Sequence, residues 1–145
     1  MKIVVAADHA GFELKNILRD ALKKRGHAVE DLGTNSKDSV DYPDFAHALA
    51  RVIVAGGAER GVLVCGSGIG MSMAANRHAG VRAAVCRDLS DTKLGRLHND
   101  ANVLCIGARL TAAPLADEMV ELFLATAFEG GRHQRRIEKI PAADR

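Results

Sequence analysis

The chain has 145 residues and a formal net charge of +2, with an apolar share large enough to bury one core. It contains no Trp and a single Tyr, Tyr42, which argues against stacking on bases, and so small a charge exerts no general pull toward nucleic acid or a membrane. No apolar run approaches membrane-spanning length, and the opening stretch before Asp8-His9 is too short to read as a signal peptide. Cys65, Cys86 and Cys105 show no CxxC spacing, so they argue against a disulfide framework and point to a reducing cytoplasm.

Residues 2–7 read as a buried strand. Leu14, Ile17, Leu18, Ala21 and Leu22 then recur at helical spacing until Gly26 stops the run. Residues 28–32 form a second strand, and a polar loop over 33–41 leads to Tyr42-Pro43. Pro43 suits a first helical turn, and Phe45, Leu49, Val52 and Ile53 give that helix its apolar face before Gly56-Gly57. A third strand, 61–65, runs directly into Cys65, a loop with Gly66, Gly68 and Gly70, and a helix reaching about Asn76. Residues 81–86 make a fourth strand. Ser90-Asp91 can cap the next helix, which carries Leu94 and Leu97 and closes near His98-Asn99. After a fifth strand at 103–106, Pro114 opens a helix with Leu115, Met119, Leu122 and Phe123 inward. Gly130-Gly131 breaks it, leaving 130–145 as a basic C-terminal arm. Five βα units with short links predict one domain over 1–145, a parallel sheet covered by helices on both faces.

In such sheets ligands bind beyond the carboxyl ends of the strands, where strand order reverses. Strand one ends at Asp8-His9 and strand three at Cys65. Right-handed crossovers allow these strands to be neighbours, so their ends can share a pocket. Arg109 lies just past strand five; His98 and the tail arginines are not placed by this argument. Backbone N–H groups of the glycine loop and a helix N-terminus facing one volume suit an anion, and a thiol at its lip is favoured as thiolate.

Each residue also has a plainer reading. Cys65 can be a small buried hydrophobe, Asp8-His9 can cap the first helix, and the tail arginines can be a solvated charge run. An Arg pair four apart on one helix face nonetheless suits a phosphate. The glycine loop lacks the Lys-Ser/Thr of a P-loop and departs from the dinucleotide fingerprint. Asp41, Asp44 and His47 have metal-like chemistry, with a solvated helix face as the preferred reading. Cys86 and Cys105 are assigned to the core, and His27 and His78 have no partners in view.

Six segments, in order, carry a resemblance: Ala7-Asp8-His9-Ala10-Gly11, Asp41-Tyr42-Pro43, Cys65-Gly66-Ser67-Gly68-Ile69-Gly70, Ala74-Ala75-Asn76, His98-Asn99-Asp100-Ala101-Asn102 and Gly131-Arg132-His133-Gln134-Arg135-Arg136. Together they resemble ribose-5-phosphate isomerase type B, within the sugar-phosphate isomerases that include galactose-6-phosphate and allose-6-phosphate isomerases. The resemblance implies a three-layer α/β/α sandwich with a five-stranded, Rossmann-like parallel sheet. It implies an aldose–ketose isomerase for ribose 5-phosphate and ribulose 5-phosphate that needs no metal or cofactor and works through an enediolate. Carried over by residue, Cys65 is the base and Ser67 orients it. The N–H groups of Gly66, Gly68, Ile69 and Gly70, with Asn99, hold the enediolate oxygen. His98, helped by Asp8 or Tyr42, opens the furanose ring, while His9, Arg109, Arg132 and Arg136 bind the phosphate. One branch of the family has Cys at position 65; another has Gly there with Glu at position 71. Cys65 with Met71 resembles the thiol branch. The resemblance also implies a homodimer with the site at its interface, extendable to a dimer of dimers. The rival readings are an isomerase of another sugar phosphate (allose 6-phosphate, galactose 6-phosphate or a tetrulose phosphate), a sugar-phosphate sensor, and a thiol-redox protein.

Overall fold

After Lys2 the first strand carries only apolar side chains, so both of its faces can be covered, and β1 (Lys2–Ala7) is buried from Ile3 onward. It pairs in parallel with β2 (Ala28–Asp31) on one side and β3 (Arg60–Cys65) on the other. Beyond β3 lie β5 (Val103–Gly107) and, at the edge, β4 (Ala83–Val85), giving the order β2-β1-β3-β5-β4 with every pairing parallel. The computed structural model describes residues 1–142, so 143–145 of the expected basic arm lie outside the described residues.

Among the described residues four helices connect the strands and two more follow β5. Leu14, Leu18 and Leu22 of α1 (Phe12–Lys24) and Met119 and Phe123 of α5 (Ala113–Ala125) cover one face, against Val5, Val62, Val64 and Ile106. Leu49 of α2 (Tyr42–Val54) and Met71 and Ala75 of α3 (Ile69–Ala75) cover the other, against Val4, Leu63 and Cys105. The edge helix α4 (Leu89–Asn99) packs on α5, and α6 (Arg132–Ile137) lies against α4. The three-layer α/β/α arrangement read from the sequence is the one observed, and β1 and β3 are adjacent as expected.

Several local expectations change. Ile17 and Leu94 stand half exposed, at 50% and 48%. Helix α4 instead buries Thr92, Gly95 and Arg96, because the Arg96 guanidinium finds acceptors in Thr126 O, Asp100 Oδ1 and Ala101 O at 3.0, 2.8 and 2.6 Å. A cation whose Nε and Nη1 find acceptors can occupy a position that periodicity reserves for an apolar side chain. Its N-cap is Asp88, whose carboxylate accepts the Asp91 N–H at 2.8 Å, rather than Ser90-Asp91. Strand β4 is shorter than expected because the Arg82 N–H turns to the Asn102 side chain at 2.8 Å. Within the basic arm, α6 holds both Arg132 and Arg136, in keeping with their four-residue spacing.

The connectivity fixes two ends. Each crossover helix returns from the carboxyl end of one strand to the amino end of the next. Cys65 therefore stands at the carboxyl edge of the sheet, and His98 and Asn99, closing α4 just before β5, stand at the amino edge.

Candidate active site

Strand order reverses between β1 and β3, and the chain places there a cavity of about 540 Å³ bordered by Asp8, Tyr42, Cys65, Ser67, Ile69 and Arg109. Met73 and Leu110 also border it; neither stood out in the sequence, because an exposed apolar residue in a loop or short helix carries no pattern of its own. Cys65 is 4% exposed, and its Sγ accepts the Gly68 N–H at 3.1 Å. That donor is aimed at sulfur because Gly68 adopts φ 79°, a left-handed conformation that side chains resist. The Ile69 N–H goes to Ser67 Oγ at 3.2 Å. Among the described residues, the N–H groups of Gly66, Ser67 and Gly70 have no intramolecular acceptor, which leaves them to a ligand.

The other two glycines of the loop are small for their neighbours' sake. A Cβ on Gly66 would stand 3.2 Å from Arg109 Nη1, and one on Gly70 would stand 2.5 Å from Tyr42 Cζ. The Arg109 guanidinium and the Tyr42 ring thus pack directly on loop backbone. Asp8 does not cap α1, whose N-cap is Gly11 with no side-chain cap bond. The aspartate is buried at the cavity wall, and its Oδ1 accepts the Gly11 N–H at 3.1 Å ahead of α1. Next to it, His9 Nδ1 accepts the Val40 N–H at 3.1 Å, so the neutral ring carries its proton on Nε2. The other two thiols are core groups: burial pushes Cys86 up to about 11 and raises Cys105 as well.

The remaining expected site residues gather elsewhere. His98 and Asn99 end α4, and Asn99 borders a separate cavity of about 370 Å³ with Asn76, Arg82 and Ile140. Arg132 and Arg136 lie exposed on α6 beside α4. Residues Asp8, Tyr42, Cys65 to Gly70 and Arg109 form one group; His98, Asn99, Arg132 and Arg136 form a second at the opposite edge of the sheet. Asp41, Asp44 and His47 do not converge: His47 Nδ1 instead meets His78 Nε2 at 2.7 Å, giving both histidines a partner that sequence spacing did not reveal. No helix among the described residues is long and apolar enough to cross a membrane.

A doubly wound parallel sheet with a thiol, unpaired backbone donors and a cationic side chain at its switch point defines an α/β enzyme for a small anionic substrate. The family model described as Ribose/Galactose Isomerase matches residues 3–140, and the chain belongs to that family. It is 43% identical to ribose-5-phosphate isomerase B of Escherichia coli, over 99% of this chain and 96% of that protein. Its fold superposes with a TM-score of 0.96 on ribose-5-phosphate isomerase B of Clostridium thermocellum, at 46% identity over 97% of this chain and 95% of that one. The Mycoplasma genitalium ribose-5-phosphate isomerase B with bound ribulose-5-phosphate gives 0.91 at 43% identity, over 96% and 93%. The chain is accordingly a sugar-phosphate isomerase.

Proposed function

We propose that the enzyme interconverts ribose 5-phosphate and ribulose 5-phosphate, with Cys65 as the base that moves a proton between C2 and C1. The observation that carries this reading is the Gly68 N–H bonded to Cys65 Sγ at 3.1 Å inside a loop where the Gly66, Ser67 and Gly70 N–H groups stand unpaired. A hydrogen bond to sulfur stabilises the anionic form that accepts the proton. Removing the C2 proton of the open-chain aldehyde puts negative charge on O1, and the free N–H groups of Gly66, Ser67 and Gly70 supply fixed donors for it. One such donor is worth about 3 kcal/mol of barrier. The electrostatic work otherwise given to a metal is done here by backbone, so the reaction needs no cation. Ser67 Oγ, already accepting the Ile69 N–H, has its O–H free to orient the thiol.

The substrate's cyclic form needs an acid–base group to open it, and His98 suits that at neutral pH. The phosphate falls to His9, through Nε2–H, and to Arg109, Arg132 and Arg136. Holding a group remote from the reacting carbons orients them, so its binding energy serves the chemical step. Since His98, Asn99, Arg132 and Arg136 stand at the opposite sheet edge from Cys65, a second copy of the chain supplies them. A two-fold dimer then holds two equivalent sites.

The test is kcat/KM for ribose 5-phosphate beside allose 6-phosphate, galactose 6-phosphate and a tetrulose phosphate, with EDTA present. A clear preference for the pentose is expected. Preference for another sugar would change the substrate and keep the chemistry. Binding of all four without turnover would replace the enzyme by a sensor.

A further inference from the structure

His98 has a neighbour to which no role has been given. The Glu129 N–H donates to Leu97 O at 3.1 Å, which ties the segment after α5 to the last turn of α4. Gly130 and Gly131, at φ 71° and 57°, then turn the chain so that His133, in the first turn of α6, returns against α4. The His98 and His133 rings stack face to face, 4.3 Å between centroids and tilted by only 14°. Their surroundings differ. His98 is 40% exposed at the side chain, whereas His133 is 7% exposed and its Nε2 is buried without a hydrogen-bond partner. Glu129 Oε2 stands 4.0 Å from His98 Nε2 and 3.9 Å from His133 Nε2, too far to accept from either.

An imidazolium carries two N–H groups that need acceptors. At His133 one of them would be buried and unpaired, a cost that is larger for a charged donor than for a neutral one. Burial, and then the neighbouring His98, disfavour the His133 imidazolium; Arg132 and Arg136 add to this, and the single carboxylate of Glu129 does not offset it. We infer that His133 is a positioning residue for His98: a neutral ring that fixes the plane of its neighbour and leaves to His98 the proton used in ring opening. This rests on the ring-opening role proposed for His98 and extends it. A half-exposed imidazole turns about both of its side-chain torsions. Laid against a buried ring it loses that freedom on folding, before substrate arrives. A neighbour that titrated in the same range would compete for the proton and repel an imidazolium 4.3 Å away; a neutral ring does neither.

The experiment compares initial rates in the two directions. Ribose 5-phosphate must open a ring, whereas ribulose 5-phosphate carries its phosphate on the one hydroxyl that could close a five-membered ring onto C2. His133→Leu, which keeps bulk and removes the flat ring, should lower kcat from ribose 5-phosphate by about 10- to 100-fold, with a much smaller loss from ribulose 5-phosphate. His133→Phe, which restores a ring that cannot titrate, should recover most of that loss. Equal losses in both directions, or no recovery in His133→Phe, would overturn the inference. His98→Asn is assayed beside them. A directional split in His98→Asn without one in His133→Leu would overturn the inference alone; no split in His98→Asn would remove His98 from ring opening, and the inference with it. Proton NMR of the unsubstituted enzyme needs no variant to fold. The His133 ring signal should move only below the ordinary imidazole range of about pH 6.5, and movement at or above it would contradict a neutral platform.

Discussion

Cys65 differs from Cys105 by two residues of depth along the sheet. Cys105 lies two residues deeper along β5 than the edge residue Gly107, which pairs with Cys65. Depth alone makes one thiol a core group and leaves the other at a cavity. Replacing Cys65 by Ala should lower turnover by about 10²–10⁴-fold, the usual worth of a positioned base, with binding of a phosphate ligand retained by calorimetry. A near-normal rate would remove Cys65 from its role. Arg136→Ala should act differently, raising KM by about tenfold or more through the loss of a charge-assisted contact with little change in kcat; an unchanged KM would take Arg136 out of the phosphate site. The sequence exposed Cys65 because a cysteine, three glycines and a helix start are contiguous. It could not expose the His47–His78 bond, whose partners are 31 residues apart and meet only through packing.

At the level of elements, the glycine loop is held by its neighbours as much as by its own conformation. A Cβ on Gly107 would lie 2.7 Å from the backbone C and O of Ser67, so β5 can pass the loop only as glycine. Gly107→Ala should displace Ser67 and lower kcat while far-UV circular dichroism stays unchanged; retained kcat would show the loop to be less tightly placed. A second device lies where β2 ends. Asp31 accepts both Lys15 Nζ and Arg19 Nη1 at 2.8 Å and the Gly33 N–H at 2.9 Å. Gly33 and Thr34 in turn hydrogen-bond Ala7, immediately before Asp8, at 2.7 Å.

Desolvation alone would raise the Asp31 carboxyl, but the Lys15, Gly33 and Arg19 bonds outweigh it and hold it below its ordinary range. A depressed carboxylate contributes stability above its unfolded value, about 4, and loses it as pH falls through the folded value. Urea midpoints should therefore drop below about pH 4 more in the wild type than in Asp31→Asn. At pH 7 that variant should be less stable by about 3 kcal/mol or more, because the buried Lys15 cation loses its charged partner. Equal acid sensitivity in both proteins would remove Asp31 from this role. Helix and strand order were legible because the strands other than β2 (Ala28–Asp31, half acidic) are near-continuous apolar runs between turn residues. Lys15 and Arg96 were not, because periodicity counts apolar positions and is blind to buried cations. Their acceptors here lie off the helix face: Asp31 for Lys15, and Asp100, Ala101 and Thr126 for Arg96.

Over the whole molecule, the residues expected at one site fall at two edges of one sheet. The thiol, the loop donors and Arg109 lie at the carboxyl edge; His98, Asn99 and the α6 arginines lie at the amino edge. We propose that a complete isomerase site joins one chain's Cys65 edge to its partner's His98 edge. Complementation between two inactive variants tests this. Cys65→Ala and His98→Asn proteins are prepared separately, mixed in equal amounts, unfolded and refolded together, and assayed with ribose 5-phosphate. Random pairing of two-fold dimers puts one intact site in each mixed dimer, so activity should recover to about one quarter of the wild-type value. Recovery no greater than the sum of the two separate variants, with mixed dimers present, would contradict a site shared between chains.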